Sequence, residues 1–280
     1  MQNDELEQVA KKICAKRGLQ FVQRVGEGAF KQTFHVVDGR STPLALKVFK
    51  AASSNKRDQR EIDAMLRCKH NNIARLISVE NCSHKGQEFV AITEEFLPGG
   101  TLTAKGRLSV PQAIVMARQL VEAIAHIASL HLVHRDIKPD NILFREDGSA
   151  PVITDFGVVR DLTDSSITPT WAARGPGTPF FAAPEQLNNE KHLTDWRTDQ
   201  FALGVVLAYS VFGGHPYSEP GISDRDIVDR VSARHGPGDW FRDQAAETGL
   251  PQLVKMVVPW PVDRFRRPQM LRKAWSEQKE

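Results

Sequence analysis

The hydrophobic pattern of this chain changes character at Pro98-Gly99-Gly100. Before it, short apolar runs bounded by turn residues read as five strands: Leu19 to Val25, Thr33 to Val37, Leu44 to Phe49, Arg75 to Glu80 and Glu88 to Glu94. Asp38-Gly39 is a hairpin signal, and the polar run Ser83 to Gln87 supplies another turn. Two helices accompany these strands. Leu6, Val9, Ala10, Ile13 and Cys14 recur at helical spacing over Asp4 to Lys16, with Gly18 as a stop, and a second helix is expected over Lys56 to Cys68. After the change the chain is mainly helical: from Pro111, behind a Ser109 N-cap, to about Leu130, then Asp195 to Phe212, Asp224 to Ala233, Pro251 to Val258 and Pro268 to Glu277. Loops and two short strands fill the stretch up to about residue 185. The expected organisation is therefore an N-terminal helical extension (1–18), a small mostly β lobe (19–97) and a larger mostly α lobe (98–280).

Composition narrows the classes of function. Of 280 residues 41% are hydrophobic, enough for a sizeable core, and 37 Lys and Arg against 34 Asp and Glu leave a formal charge of only +3. That balance does not point to nucleic acid, and the basic cluster Arg264, Arg266, Arg267, Arg272 and Lys273 reads as a solvated helix face. Cys14, Cys68 and Cys82 fit neither a metal pattern nor a complete disulfide framework, so three reduced thiols are expected. The longest apolar stretch, Phe201 to Phe212, contains glycine and serine and falls short of the ~20 residues of a membrane span. The polar, acidic start carries no secretory leader pattern, and a cytoplasmic chain that binds no membrane is expected.

Four segments carry chemistry. Gly26-Glu27-Gly28-Ala29-Phe30 lies in the first hairpin, where glycine lets backbone amides approach phosphate oxygens, although a plain turn explains it equally. Lys47 sits in an apolar strand, so it either finds an anionic partner, with Glu61 on the following helix as the natural choice, or points to water from a strand edge. The string His134-Arg135-Asp136-Ile137-Lys138-Pro139-Asp140-Asn141 is flanked by apolar residues that would bury its ends and present its polar middle to a cleft. There Asp136 can accept a hydroxyl proton, Asn141 can ligate Mg2+ and Lys138 can offset phosphoryl charge. Asp155-Phe156-Gly157 follows 14 residues after Asn141, a carboxylate beside a glycine hinge that suits a second metal ligand.

In this order, and with Ala183-Pro184-Glu185 downstream, the segments resemble the eukaryotic-type (Hanks-type) serine/threonine protein kinase family over about residues 19–275. The resemblance implies an α+β, bilobal fold: a small lobe with a five-stranded antiparallel sheet and one main helix, and a larger, mostly α-helical lobe. It implies transfer of the γ-phosphoryl group of ATP, with Mg2+ (or Mn2+), to a serine or threonine hydroxyl of a protein substrate. Lys47 would hold the α- and β-phosphates and pair with Glu61. Asp136 would orient the hydroxyl and take its proton, Lys138 would contact the γ-phosphate, and Asn141 and Asp155 would hold the metal ions. Thr178 would brace the catalytic loop, Asp199 would anchor it from below, and Glu185 would pair with Arg267. Gly26, Glu27 and Gly28 would cover the phosphates, Glu95 and Leu97 would hydrogen-bond adenine through their backbone, and Val25, Ala45 and Leu143 would sandwich it. Lys138 and Gly177-Thr178-Pro179 resemble the serine/threonine branch.

The chain departs from the family pattern at Lys31, where the third glycine of the loop is expected, at Thr33, and at Glu94, where the family carries an apolar residue or threonine. Arg135, with Arg57 and Arg160, resembles the basic set that binds an activation-loop phosphate. Autophosphorylation at Thr163, Ser165, Ser166, Thr168 or Thr170 is therefore expected, by a monomer or by a transient dimer acting in trans. The alternatives are a pseudokinase-type nucleotide-binding scaffold and a small-molecule phosphotransferase of kinase-like fold. The first predicts loss of Lys47, Asp136, Asn141 or Asp155, and the second lacks the Ala-Pro-Glu segment; this chain has all of them.

Overall fold

The computed structural model describes residues 2–27, 31–50, 66–146, 148, 150–155, 160–161 and 179–278. By its internal contacts the chain divides into two compact units, Met1–Lys69 with Ala74–Pro98, and His70–Ile73 with Gly99–Glu280.

The first unit is a helix on a sheet. Helix α1 (Gln2–Arg17) precedes strands β1 (Gln20–Glu27), β2 (Lys31–Val37), β3 (Pro43–Lys50), β4 (Leu76–His84) and β5 (Gln87–Glu95). All neighbouring pairs are antiparallel, in the order β1-β2-β3-β5-β4. Local chemistry sets the turns. Between β2 and β3 the Asp38 carboxylate accepts the amides of Arg40 and Thr42 at 2.8 and 2.9 Å, and these bonds hold its pKa below the usual carboxylate range. Between β4 and β5, Lys85 and Gly86 both adopt positive φ (50° and 78°), the tight turn whose twist matches the flanking strands.

Side-chain alternation then divides the sheet into two faces. Phe34 and Val36 of β2, Leu44, Leu46 and Val48 of β3, and Phe89 and Ala91 of β5 form one core with Leu6, Val9, Ala10, Ile13 and Cys14 of α1. Ala45 and Lys47 of β3, with Ile92 and Glu94 of β5, lie on the other face. At the end of α1, the Arg17 guanidinium donates to Ser78 Oγ (2.9 Å), Thr93 Oγ1 (2.8 Å) and Glu80 Oε1 (3.2 Å), fastening the helix to β4 and β5. The helix expected as an extension is thus one layer of the first unit's core. The helix expected over Lys56 to Cys68 lies almost wholly outside the described residues, which include only its end at 66–68, helical at 66–67.

The second unit contains α2 (Leu102–Lys105), α3 (Val110–Ser129), β6 (Leu132–Val133), β7 (Ile142–Phe144), β8 (Pro151–Ile153), β9 (Arg160–Asp161), α4 (Pro184–Leu187), α5 (Trp196–Phe212), α6 (Asp224–Ser232), α7 (Asp239–Glu247), α8 (Pro251–Met256) and α9 (Pro268–Ser276). Ser109 caps α3 in a reciprocal capping box with Gln112, and Asp195 caps α5. Helices α3 and α5 pack together, with α9 on α3 and α8 on α5. Gly204 permits the last approach: a Cβ there would stand 2.7 Å from Val257 Cγ1 and 2.8 Å from Met256 Cβ. Helix α7 has no counterpart in the sequence reading: its N-cap is Gly238, with no capping side chain and no proline in its first turn, whereas α6 opens on a Ser223 capping box and α9 on Pro268. Among the described residues no helix is long and apolar enough to cross a membrane, and the three cysteines are free thiols.

Glu185, at the start of α4, is fully buried and pairs with Arg264, not with Arg267 as the family resemblance implies. The pair is bidentate (Nη1 to Oε1 2.7 Å, Nη2 to Oε2 3.0 Å), and Thr198 Oγ1 donates to the same carboxylate at 2.9 Å. Arg264 also donates to the carbonyls of Val258, Pro259 and Arg197, and its guanidinium lies 4.8 Å from the Phe201 ring centre. The short 3₁₀ turn Pro261–Asp263 turns Arg264 inward, whereas Arg267 sits on extended backbone before α9 with its side chain exposed. Arg264 therefore does not belong to the solvated basic face on which the sequence placed it.

Two expectations follow. Ile13→Ala should destabilise the chain by about 2–5 kcal/mol in urea titration, whereas the exposed Lys12→Ala should stay within ~0.5 kcal/mol. Arg264→Ala, which strands a buried carboxylate, should cost about 3–5 kcal/mol, whereas Arg267→Ala should leave the urea midpoint nearly unchanged.

Candidate active site

The second unit assembles Asp136, Lys138, Asn141, Leu143 and Asp155. The loop after β6 is held from beneath by Asp199, in the first turn of α5 and 1% exposed. Its Oδ2 accepts the His134 amide and its Oδ1 the Arg135 amide, each at 2.8 Å. Burial pushes the Asp199 carboxyl up to about 7, against the opposing pull of these two amides. Arg135 has φ 68°, a left-handed conformation that a side chain of this size adopts at a cost of about 1–3 kcal/mol. The two amide bonds and a third, from Gln186 Nε2 to the Arg135 carbonyl (2.9 Å), offset that strain.

This bend delivers Asp136 to the short 3₁₀ turn Pro139–Asn141. Asn141 Nδ2 donates to both the carbonyl (2.8 Å) and Oδ2 (3.0 Å) of Asp136, and Lys138 Nζ lies 3.3 Å from the same Oδ2. With its amide hydrogens on Asp136, Asn141 keeps its carbonyl oxygen on the other arm of the amide as an acceptor, the atom a hard cation takes. Both residues are buried, at 9% and 6% exposure.

Asp155 joins this group through the backbone. The Thr154 amide donates to the Asn141 carbonyl (2.9 Å), and the Thr154 carbonyl lies 3.1 Å from His134 Nε2. Strand β8 is fixed one residue earlier, where the Ile153 amide donates to the Asn72 carbonyl at 2.9 Å. Asn72 Nδ2 in turn donates to the Pro151 carbonyl at 2.8 Å. Asp155 itself has φ 73°. Leu143 is half-buried on β7, and Gly99 packs against that strand so closely that a Cβ would meet the Phe144 carbonyl oxygen at 2.6 Å.

In the first unit, Lys47 and Ala45 are buried on β3, and Lys47 is ion-paired with Glu94 of β5. Gly26 and Glu27 lie at the end of β1, paired with Thr33 and Gln32 of β2, and Val25 beside them is 43% exposed. The Glu95 amide donates to the Arg75 carbonyl (3.0 Å), its carboxylate accepts the Arg75 amide (3.1 Å), and Leu97 is buried. Gly28, Glu61 and Thr178 lie outside the described residues, as do Arg57 and the hydroxyls at 163–170; of Arg160 only the backbone is described.

The sequence reading did not assign Asn72, His134, Gln186 or Glu94 a part in the site. The first three work by hydrogen bonds to or from the backbone of residues far away in sequence, which leave no spacing signal. Glu94 was visible only as a departure from pattern.

Comparison with known proteins matches this arrangement to one family. The protein kinase domain model covers residues 19–276. A probable serine/threonine-protein kinase PkwA of Thermomonospora curvata is 31% identical over 220 residues, 75% of this chain and 28% of that protein. The DNA damage-responsive serine/threonine-protein kinase RqkA of Deinococcus radiodurans is 31% identical over 262 residues, 88% of this chain and 36% of that protein. CBL-interacting protein kinase 16 of Oryza sativa subsp. japonica is 28% identical, across 97% of this chain and 59% of that protein. The chain thus spans from about a quarter to three fifths of the length of these relatives. With the match running from the first strand to the last helix, and with Asp136, Asn141 and Asp155 gathered on one loop scaffold, the chain belongs to the protein kinase domain family.

Proposed function

We propose that this chain is a serine/threonine protein kinase that transfers the γ-phosphoryl group of ATP to a hydroxyl of a protein substrate. The observation that carries the reading is the junction of Asp136 and Asn141. One amide holds Asp136 in place, with one N–H bond to its carbonyl and one to its carboxylate, and keeps its own oxygen for a cation. Phosphoryl transfer asks little covalent chemistry of a protein; it asks for position and charge neutralisation.

Each residue follows from its surroundings. The Asp136 carboxylate, oriented by Asn141, accepts a hydrogen bond from the acceptor hydroxyl and takes its proton as the oxygen attacks. Lys138, 3.3 Å from that carboxylate, is placed to meet charge on the moving phosphoryl group. Asn141 Oδ1 and the Asp155 carboxylate are the donors that would hold Mg2+, which supplies charge neutralisation on the phosphate oxygens when bound. Lys47 meets the α- and β-phosphates, and the backbone of Glu95 and Leu97 meets adenine. Retention of Lys47, Asp136, Asn141 and Asp155 supports catalysis over a scaffold role, and the buried Glu185–Arg264 pair supports a protein substrate over a small-molecule acceptor. The relatives are named as serine/threonine kinases, and Lys138 agrees with that branch. Ordering of the 163–170 hydroxyls by phosphorylation, with Arg135 as one receptor of the phosphate, is part of the same reading. Its backbone is fixed on both sides by Asp199 and Gln186, which gives a phosphate a rooted partner.

Asp136→Asn, which keeps the shape and removes the proton acceptor, should lower transfer of labelled phosphate from ATP to a protein acceptor by about 10²- to 10⁴-fold with the urea midpoint retained. Equal rates for the two chains would contradict the assignment. Intact mass after incubation with MgATP should rise by one or more phosphates on wild type and not on Asp136→Asn; an unchanged wild-type mass would remove the autophosphorylation.

A further inference from the structure

Inside the sheet of the first unit lies a charged pair to which the family pattern gives no role. Lys47 of β3 and Glu94 of β5 are ion-paired, and they are 6% and 4% exposed. The register explains how they meet. Ala45 stands opposite Glu94 and Lys47 opposite Ile92, so the two charged side chains are diagonal neighbours on one face of an antiparallel ladder. A buried ammonium is costly unless an anion and hydrogen bonds compensate it, so a carboxylate at this position stabilises the charged form of Lys47 where it stands.

The backbone beneath the pair is fixed. Strands β3 and β5 are in register over seven consecutive residue pairs, from Leu44–Glu95 to Lys50–Phe89. On the opposite face, Thr93, the residue next to Glu94, is held by Arg17 at 2.8 Å. A partner on a helix can be withdrawn by moving the helix; the backbone that carries Glu94 cannot move away from that of Lys47 without breaking the ladder.

We propose that Glu94 is a positioning residue for Lys47. From within the sheet it holds the ammonium at the place where it meets the phosphates of the nucleotide, independently of Glu61. The inference rests on the reading that this chain binds MgATP. It differs from the family pattern in placing a carboxylate of the sheet itself beside the phosphate-binding lysine.

Equilibrium binding of MgATP and of adenosine to the whole chain, by isothermal titration, tests this. Adenosine carries no phosphate for Lys47 to meet, so a general loss of structure would weaken both ligands, whereas misplacement of Lys47 weakens only one. Glu94→Gln is expected to weaken MgATP about tenfold or more, the weight of one charged hydrogen bond, and to change adenosine less than about threefold. Glu94→Asp, which keeps the charge at shorter reach, should fall between Glu94→Gln and wild type. It carries the test alone if Glu94→Gln does not fold. On a Lys47→Met background, Glu94→Gln should weaken MgATP no further, since the effect runs through Lys47. The proposal is overturned if wild type binds MgATP and the Glu94 variants bind it equally or more tightly, if both ligands weaken alike, or if the two substitutions add. A wild-type chain that does not bind MgATP overturns the functional reading, and this inference with it.

Discussion

The carboxylate of Asp199 is the constraint on which the arrangement of the second unit turns. It sits in the first turn of the largely buried helix α5, and its two oxygens take the amides of His134 and Arg135. Without those acceptors, the amides of His134 and Arg135 would lack these partners and Arg135 would keep only the Gln186 bond to offset its left-handed backbone. Everything beyond the bend inherits its position from that contact. Asp136 follows the bend, Asn141 closes on Asp136, Thr154 hangs from the Asn141 carbonyl, and Asp155 comes next in the chain. The hydrogen bonds form a chain from a helix to the backbone beside Asp155, and each link restrains the next.

The second structural idea is the use of both faces of one sheet. On one side α1 buries five side chains against β2, β3 and β5, and Arg17 ties its end to β4 and β5. On the other side the same strands present Ala45, Lys47, Ile92 and Glu94. Strict alternation means that whatever stiffens the first face also fixes the register of the second. The helix at the start of the chain therefore bears on the placement of Lys47 without touching it.

The fold class was legible because periods of two and of 3.6 survive in short windows: the five strands, α1, α3, α5, α6 and α9 lie within a few residues of where periodicity places them. Capping residues read true for the same reason, since Ser109 and Asp195 act on amides within three residues of themselves. The short α4 was not legible because a single turn leaves no period, and α7 because neither a capping side chain nor a proline marks its start. In the site, the loop containing Asp136 and Asn141 could be read as a string because its members lie five residues apart. The partner of Glu185 could not, and the resemblance pointed to Arg267 where Arg264 is found. Three arginines within four residues are equivalent as text. Only the backbone turn at Pro261–Asp263 decides which of them faces inward.

The sequence by itself determined which chemical groups are available and in what order: a lysine in an apolar strand, an acid with a carboxamide five residues on, a second acid on a further loop, and an acid that needs a distant base. These are matters of residue type and short spacing, and side chains state them directly. The tertiary structure alone decided the pairings. Asp199 reaches 64 residues back to Arg135, Glu185 reaches 79 residues forward to Arg264, and Lys47 meets Glu94 from the neighbouring strand. Such pairings are set by register, by a turn or by the packing of one helix on another, and these arise only when burial of apolar faces has brought the segments together.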